Sequence, residues 1–437
     1  MTSIGYQRPL RLCNHLSRNG VDVTVYAGHP AWAPIQEKPD TRLNGLIDAR
    51  IEVLRIPSLH PIQWALNLRA DLLAPRRAAQ EAAQGAAQGT SRADAAAGPI
   101  KRRPSLLVRL VDAILPSLSV PDRYWGWVFT VLPILLLRIL WRRPDCIFAT
   151  APPWTPLVLA TLAGRLTGVP VYVDYRDPWN FNPYHKGPRN RLSLRLEAWV
   201  LEHARGILTN TQSMAECYAQ AFPRHSGKIT AVYNGIDAAT VAQMNALRAA
   251  SVKKTGPFTV SHIGTLYRHR MPARLADVLA EAARSWKGER GIRFRFVGWV
   301  EDTEVIRAAF ASRGCAHMLE LAGQLPAWEA RQEQMGADVL LLLQSGTALQ
   351  IPAKVFEYAL AEKPLLCFAD AGSETGQLVE KYELGMLCTD EVEFAPVLQY
   401  LEEILKNSWQ FRKLQDFMRD FDGEKHSRSM AELLFPK

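Results

Sequence analysis

Segments with a strand pattern alternate with segments with a helix pattern along most of this chain, and this alternation limits the possible folds more than any other feature. The strand pattern at 145–150 precedes the helix pattern at 157–166, and the strand pattern at 338–343 precedes the helix pattern at 352–361. Strands separated by helices pair in parallel, because each helix crosses the sheet between two strands. We therefore predict an α/β fold with two Rossmann-like doubly wound domains that face a central cleft. Ligands of such sheets lie beyond the carboxyl ends of the strands.

The order of these segments predicts three parts. Residues 1–240 form an N-terminal domain, residues 257–407 form a C-terminal domain, and residues 408–437 form helices that cross back to the first domain. The Ala-rich segment 78–98 has too few large apolar residues to build a core, so we predict a flexible insertion there.

Composition narrows the class of protein. Apolar residues make up 48% and charged residues 22% of the chain, which excludes a wholly disordered, collagenous or polytopic membrane protein. The six cysteines lie far apart and form no CxxC pair, so we expect the reduced, buried thiols of a cytoplasmic protein rather than a disulfide framework. The first thirty residues do not contain a basic segment followed by an apolar segment, so no secretory signal peptide is predicted.

One segment that is both basic and apolar suggests a partner. Residues 101–143 hold eight basic and two acidic residues, which accounts for most of the net charge of +9. Within this segment, the 17 residues of 125–141 are almost all apolar, at the lower limit for spanning a bilayer. We predict a buried or interfacial helix, which either docks on the anionic inner face of a membrane or is a solvated basic face over an ordinary core helix. No nucleic-acid recognition motif accompanies the charge, so nucleic acid is not the expected partner.

The second half of the chain carries residues suited to a diphosphate. Gly264 and Thr265 end a predicted strand, and Arg268 and Arg270 stand just before a predicted helix that begins at Met271. The free amides of a helix N-terminus and two guanidinium groups would bind a diphosphate. The alternative is a pair of solvated arginines in a surface loop.

The strongest local constellation is the sequence QIPAKVFEY, in which Pro352 suits the first position of a helix. Lys354 then lies in the first turn, and Glu357 shares its face. Because a cation in the first turn opposes the helix dipole, a bound anion would relieve that cost. The upstream loop contains Gly346 and Thr347 and is flexible enough for its backbone to approach a ligand. A phosphate on Lys354 and hydroxyls on Glu357 describe a nucleoside diphosphate, whereas the alternative is a solvent-exposed ion pair.

A polar loop in the first half is a candidate sugar site. Asp174, Arg176, Asp177 and Trp179 follow a predicted strand. Such a loop can bind sugar hydroxyls with the sugar ring on the indole, or Arg176 can pair with a carboxylate in a structural role. The isolated histidines have no metal-ligand spacing, so no metal site is predicted. No GxGxxG follows a strand, and no hydrolase, Walker or kinase signature occurs, so those enzyme classes are not indicated.

Five motifs together resemble those of the GT-B glycosyltransferases of family 4, particularly bacterial members that act in polysaccharide and cell-envelope assembly. The motifs are ATAPPW, VDYRDPW, VYNGID, SHIGTLY and IPAKVFEYALAEKPLL, and the resemblance extends from Gly5 to about Leu434. It implies a GT-B architecture that holds a nucleotide-sugar donor, such as a UDP- or GDP-sugar, mainly on the C-terminal domain. A sugar or lipid-linked acceptor would be held mainly by the N-terminal domain. The resemblance also implies a retaining transfer that needs neither a metal nor a cofactor.

The resemblance assigns roles to residues. Glu357 matches the glutamate that binds the ribose, and Lys354 lies in the donor-binding turn. Arg270, and with a weaker match Arg268, correspond to the basic residues that neutralise the diphosphate, so we expect Arg270 and Lys354 to be catalytic. The other expected donor contacts are Gly264, Thr265, Arg268, Gly346, Thr347 and Glu357, and the expected acceptor contacts are Gly5, Arg8, Asp174, Arg176, Asp177 and Trp179.

Three departures from the family pattern bear on activity. Seven residues separate the usual pair of glutamates, and the position counted back from Glu357 holds Leu349. The N-terminal glycine loop is reduced to residues 3–8 without a preceding strand, so either the chain starts downstream of its natural start or the strand has been lost. The histidine often found beyond a middle strand has no counterpart in residues 149–155. The chain is thus a divergent or impaired transferase. The alternatives are a sugar-nucleotide epimerase of the same architecture and a catalytically impaired sugar-binding or assembly subunit.

Overall fold

The computed structural model describes residues 6–29, 45–59, 120–182, 190–250, 256–407 and 409–436. The predicted insertion at 78–98, the predicted acceptor residue Gly5 and residues 101–119 of the basic segment lie outside the described residues.

Helices and strands alternate through the first part of the described chain, as the sequence pattern predicts. In order, the elements are α1 (Gln7–Arg18), β1 (Thr24–Gly28), β2 (Glu52–Ile56), α2 (Trp127–Arg142), β3 (Ile147–Ala151), α3 (Thr155–Thr167), β4 (Val171–Tyr175), α4 (Arg191–His203), β5 (Gly206–Thr209), α5 (Gln212–Ala221), β6 (Ile229–Ala231) and α6 (Ala238–Ala249).

The same alternation continues in the second part and ends in three helices. In order, the elements are β7 (Phe258–Ile263), α7 (Leu275–Ser285), β8 (Ile292–Val297), α8 (Thr303–Ser312), β9 (Leu319–Gly323), α9 (Ala327–Gly336), β10 (Val339–Leu343), α10 (Lys354–Leu360), β11 (Leu365–Phe368), α11 (Glu374–Lys381), β12 (Gly385–Cys388), α12 (Phe394–Lys406), α13 (Leu414–Asp420) and α14 (Gly423–Leu434).

A six-stranded parallel sheet organises the second part, in the order β12-β11-β10-β7-β8-β9. From β7 the chain builds outward through β8 and β9, and then returns to β10 on the other side of β7. This is the doubly wound order of a Rossmann fold. Every residue of β7 and β10 is buried, as expected for central strands of a parallel sheet with helices on both faces. The topological switch point therefore lies between the carboxyl ends of β7 and β10.

The two faces of this sheet pack into separate apolar cores. Phe258 of β7 and Leu279 of α7 belong to one core, and Ile263 of β7 and Val355 of α10 belong to the other. Full burial of a Leu or Phe side chain stabilises a fold by about 2 kcal/mol, so these cores hold the strand ends at the switch point in place.

Two further sheets occur in the described residues, with β1 parallel to β2 and β5 parallel to β6. β1 pairs with β2, with Val25 opposite Val53, and a second sheet has the order β3-β4-β5-β6. The predicted α/β class, with parallel strands connected by helices, is confirmed.

The chain divides into two compact units. The first unit contains residues 20–173 and 188–205 together with residues 1–3, and the second contains residues 4–19, 174–187 and 206–437. The predicted division into 1–240, 257–407 and 408–437 places its boundaries elsewhere and stays a prediction.

The C-terminal helix packs against the first helix within the second unit. His15 Nδ1 of α1 lies 2.5 Å from Glu424 Oε1 of α14. Arg11 Nη1 donates to the carbonyl of Gly235 at 2.6 Å, and the backbone of Ile236 pairs with that of Asp422. These contacts join the two ends of the second unit.

The apolar segment 125–141 contains α2, which buries one face and exposes another. Trp127, Val131, Leu135 and Ile139, spaced at four residues, pack into an apolar core, whereas Leu137 is 70% exposed. Among the helices of the described residues, none has both the length and the apolar character required to span a bilayer.

Candidate functional site

The switch point brings together most of the residues predicted to bind a donor. Gly264 and Thr265 directly follow β7, and the loop 344–350 follows β10. α10, which begins at Lys354, comes just after that loop. All these residues belong to the second unit. Because ligands of doubly wound sheets bind at the switch point, the topology selects this place as the candidate site.

Lys354 lies directly over Gly264. A Cβ atom on Gly264 would stand 2.2 Å from Cε and 2.7 Å from Nζ of Lys354, and the φ of +141° also favours glycine at this position. Burial lowers the pKa of Lys354, and the nearby carboxylate of Glu357 raises it by a smaller amount. The ammonium group is therefore held against the end of β7 at a desolvation cost, and an anion bound beside it would reduce that cost.

α10 is anchored to β7 by one buried tyrosine. Tyr358 Oη accepts the Ile263 N–H at 3.0 Å and donates to the Ile263 carbonyl at 3.2 Å. Glu357, one residue earlier, accepts a hydrogen bond from Gln334 Nε2 at 3.2 Å. The helix begins at Lys354 rather than at Pro352 as predicted, so the lysine is its first residue.

A pocket of about 250 Å³ opens beside Lys354. The ends of β7, β8 and β9 and the start of α9 contribute to its walls. The lining residues are Ile263, Gly264, Thr265, Val297, Gly298, Trp299, Gln324, Leu325, Ala330 and Lys354. Three of these residues were predicted to contact a donor: Gly264, Thr265 and Lys354. Trp299, Gln324 and Leu325 were missed because they stand in loops that carry no recognisable motif.

The two predicted diphosphate arginines stand in a turn of their own. The sequence predicted a helix from Met271, but α7 begins at Leu275, and the arginines form the 3₁₀ turn Arg268–Arg270. The reason is Pro272, which disfavours helical geometry in the residue before it. The expected helix N-terminus beside these arginines is therefore wrong.

The arginines of this turn have different surroundings. Arg268 is 75% exposed, with its Nε 3.7 Å from Asp302 Oδ2. The guanidinium carbon of Arg270 lies 5.8 Å from the centre of the Tyr267 ring, and the charge of Arg270 acts to lower the pKa of Asp177. Arg270 is thus electrostatically connected to the predicted acceptor loop, whereas Arg268 is paired with an acidic residue at the surface.

The loop after β10 turns sharply and contains buried polar atoms without partners. Gly346 has a φ of +73°, and the buried hydroxyl of Thr347 donates to the Gln344 carbonyl at 2.8 Å, which closes the turn. Among the described residues, Gln344 Oε1 and Ser345 Oγ have no hydrogen-bond partner. Buried polar atoms in native proteins are rarely left unpaired, so this loop is suited to a polar ligand.

A further missed residue lies on β7 itself. His262 Nδ1 lies 3.0 Å from the Leu341 carbonyl, and Nε2 has no partner among the described residues. Burial lowers the pKa of His262 to about 4, so the imidazole is neutral at pH 7. No local pattern marks this residue, since a single histidine in an apolar strand is consistent with ordinary packing.

Three of the predicted acceptor residues lie in the interior. Arg8 and Asp174 form a buried ion pair, with Arg8 Nη2 2.8 Å from Asp174 Oδ1 and Nε 3.1 Å from both carboxylate oxygens. Trp179 is 4% exposed, and its backbone N–H donates to Tyr218 Oη at 3.0 Å. These contacts hold α1 and the loop after β4 together. A role of the three residues in acceptor binding stays a prediction.

The other two residues of that loop are half-buried and charged. Burial lowers the pKa of Arg176, against the opposing effect of Asp174 and Asp177. Burial raises the pKa of Asp177, and its Oδ1 accepts a hydrogen bond from Gln350 Nε2 at 2.5 Å. This hydrogen bond connects the predicted acceptor loop to the predicted donor loop. Within the described ranges, no three His, Cys, Asp or Glu side chains converge in the manner of a metal site.

Residues 90–240 match the family model of Glycosyltransferase Family 4. The resemblance to this family is therefore confirmed over these residues. The matched segment includes the loop 174–179, whereas the pocket at the switch point lies beyond it. This segment is thus similar to glycosyltransferases of this family. A search of curated proteins found no match.

The fold is similar to that of solved glycosyltransferases. Sucrose-phosphate synthase from Thermosynechococcus elongatus superposes with a TM-score of 0.57 at 15% identity, over 97% of this chain and 90% of that one. A glycosyltransferase from Rickettsia africae has a TM-score of 0.57 at 11% identity, over 99% of this chain and 95% of that one. HepE of Anabaena in complex with UDP has a TM-score of 0.54 at 16% identity, over 76% of this chain and 90% of that one. The predicted GT-B fold is confirmed.

Proposed function

We propose that this chain is a retaining glycosyltransferase that moves a hexosyl group from a nucleoside-diphosphate sugar to an acceptor hydroxyl, without a metal or a cofactor. The observation that carries the proposal is the position of Lys354 over Gly264, at the switch point and beside the pocket. The family match of residues 90–240 supports the same reaction class. We further propose that the product belongs to a polysaccharide or glycolipid.

The donor would lie along the carboxyl ends of the sheet. Glu357 would accept hydrogen bonds from the ribose, and Lys354 and Arg270 would contact the diphosphate. As the bond to the sugar breaks, negative charge grows on the leaving diphosphate, and cations already in place stabilise that charge. One well-placed cation of this kind stabilises the transition state by about 3 kcal/mol.

UDP is the first nucleotide to test. HepE, a structural neighbour, was solved with UDP and with UDP-glucose. In a retaining transfer, an oxygen of the leaving phosphate takes the proton of the acceptor hydroxyl, which arrives on the same face. The loop after β4, at Arg176, would hold the acceptor, and no separate protein base is required.

Calorimetry with UDP and GDP, followed by product analysis with UDP-glucose and GDP-mannose, tests the proposal. Nucleotide binding together with transfer to added sugar or lipid-linked acceptors would support it. An isomerised donor would indicate the epimerase instead. Absence of binding to every nucleotide and nucleotide sugar would refute the proposal and favour the assembly subunit.

We also propose that α2 docks on the anionic inner face of a membrane. On the helix side away from its buried face, Leu137, Leu140 and Trp141 are 70%, 66% and 76% exposed. Arg142, at the end of the helix, is 51% exposed, and Arg143 follows it. An exposed apolar stripe that ends in cations fits the boundary between acyl chains and anionic headgroups.

Sedimentation with lipid vesicles tests this docking. The protein should bind vesicles that contain phosphatidylglycerol more strongly than pure phosphatidylcholine vesicles, and Leu137→Glu should reduce binding about tenfold. Val305→Glu is the matched control, because Val305 is 42% exposed on α8. Equal binding of the wild type and Leu137→Glu would refute the proposal.

A further inference from the structure

We propose that Asp177 accepts a hydrogen bond from a hydroxyl of the sugar that is transferred, and that Gln350 holds the carboxylate in position for this contact. This inference rests on the proposed function, because the sugar reaches Asp177 only as part of a donor bound beside Lys354. It adds a specificity-determining residue, Asp177, and a positioning residue, Gln350.

The hydrogen bond between the two side chains leaves acceptor atoms open. Gln350 Nε2 donates to Asp177 Oδ1 at 2.5 Å, and this bond does not engage Asp177 Oδ2. Gln350 is 9% exposed, and its Oε1 also has no partner in the described part of the chain. Carboxylate and amide oxygens accept hydrogen bonds, and sugar hydroxyls donate them. The buried Gln350 Oε1, without a donor, costs free energy that a bound hydroxyl would recover.

The backbone beneath Gln350 is held on several sides. The N–H of Glu374 donates to the carbonyl of residue 348 at 3.1 Å. The hydroxyls of Thr211 and Thr375 donate to the carbonyls of residues 349 and 350 at 2.7 and 3.0 Å. Three consecutive carbonyls are therefore bonded to two different segments, at Thr211 and at the start of α11. Gln350 projects from a rigid support, so its amide can fix the position of the Asp177 carboxylate.

The charges around Asp177 favour a sugar over a phosphate as its ligand. Arg176 and Arg270 both act to lower the pKa of Asp177, although burial has the larger effect and raises it. An ionised carboxylate repels a diphosphate, which the cations Arg270 and Lys354 attract. The group attached to that diphosphate is the neutral sugar ring. A carboxylate within the electrostatic reach of Arg270 is therefore placed to meet the hydroxyls of this ring.

A sugar contact and a purely structural pair predict different binding data. If Asp177 contacts the sugar, its substitution lowers the affinity for the nucleotide sugar and leaves the affinity for the free nucleotide unchanged. If the Asp177–Gln350 pair only supports the fold, its loss affects both ligands alike or affects stability alone. The affinity for UDP, compared with the affinity for a UDP-sugar, therefore separates the two cases.

The experiment is calorimetry on the full chain with UDP and with UDP-glucose, UDP-galactose and UDP-N-acetylglucosamine. Asp177→Asn should bind the preferred UDP-sugar about 10- to 100-fold more weakly than the wild type, with UDP affinity changed less than twofold. Gln350→Ala should show a smaller loss in the same direction. The control is Asp390→Asn, at an exposed aspartate in the turn after β12, and it should bind every ligand as the wild type does.

Two results would overturn the inference: an equal loss of UDP and UDP-sugar affinity in Asp177→Asn, or no loss of either. Circular dichroism and a melting curve show whether each variant is folded. If Asp177→Asn is not folded, the UDP and UDP-sugar affinities of Gln350→Ala decide between the two cases. A wild-type protein that binds no nucleotide refutes the proposed function together with this inference. A wild type that binds UDP and UDP-sugar, with an Asp177→Asn substitution that changes both affinities equally or changes neither, refutes the inference alone.

Discussion

Replacing Lys354 by methionine should separate the ligand role of this residue from its effect on stability. Methionine is similar in length and carries no charge. Because burial lowers the pKa of Lys354 in the folded chain, the ammonium form is disfavoured by folding at every pH below that folded value. This cost shrinks only as the pH rises toward the unfolded value of 10.5. At pH 7 the methionine variant should therefore melt at the same temperature as the wild type or higher.

Turnover should change in the opposite direction. The Lys354 amine lies over Gly264, beside the pocket at the switch point, where the leaving diphosphate would develop its charge. A cation in that position contributes about 3 kcal/mol to the transition state, which corresponds to roughly a 100-fold change in rate. Lys354→Met and Lys354→Ala should thus lower kcat by two orders of magnitude or more.

The assay combines UDP release from the preferred UDP-sugar with thermal melting at pH 7. Lys287→Met serves as the matched control, because Lys287 is an exposed lysine of the same unit, and it should keep both turnover and melting temperature. Ordinary turnover in Lys354→Met would refute the assignment. A large fall in its melting temperature would refute the reasoning about burial, since Lys354 would then be a structural cation.

Three further substitutions test the same site. Gly264→Ala should weaken UDP binding at least about tenfold by calorimetry, because its Cβ would stand 2.2 Å from Lys354 Cε, and unchanged affinity would contradict the packing described for this glycine. Glu357→Gln should remove most of the difference in affinity between UDP and 2′-deoxy-UDP, because Glu357 is proposed to bind the ribose; a difference that persists would exclude that contact. Asp177→Asn should raise the melting temperature at pH 7 and not at pH 3. Burial raises the folded pKa of Asp177 above its usual 3.8. The ionised carboxylate therefore lowers the stability of the wild type as the pH rises through the folded value, and asparagine removes this cost. Melting curves across this pH range check the sign, and a variant less stable than the wild type at pH 7 would contradict it.

The fold was predictable from the sequence because its signals are local. A run such as VLLLL at Val339–Leu343 allows few structures other than a central parallel strand, and the regular return of such runs indicates the crossovers. The candidate site was predictable where it depends on strand ends, as at Gly264, and where a short motif carries several functional groups, as at Lys354 and Glu357. Both kinds of signal lie within a few residues of one another in the chain.

The rest of the site depends on contacts between distant segments, which no local pattern encodes. Asp177 and Gln350 are 173 positions apart, and Arg8 and Asp174 are 166 positions apart. Each of these residues considered alone is compatible with several roles. The sequence therefore identified the polar loop after β4. It did not distinguish Asp174, which forms a buried ion pair with Arg8, from Asp177, whose carboxylate accepts a hydrogen bond from Gln350.

The contact between Asp177 and Gln350 bears on the departure from the family pattern at Leu349. This leucine stands where the first of two glutamates is usual, and its neighbour Gln350 binds Asp177. If Asp177 already supplies a carboxylate to this part of the site, restoring the glutamate would add a second negative charge near the first, which is unfavourable.

Leu349→Glu should therefore fail to raise turnover, and it should lower the affinity for the UDP-sugar. The same substitution in an Asp177→Asn background should recover part of the lost activity, because only one carboxylate is then present. A double-mutant cycle on kcat/KM measures this coupling. If Leu349→Glu alone increases turnover above that of the wild type, Asp177 does not replace the missing glutamate, and the chain is an impaired transferase at this position.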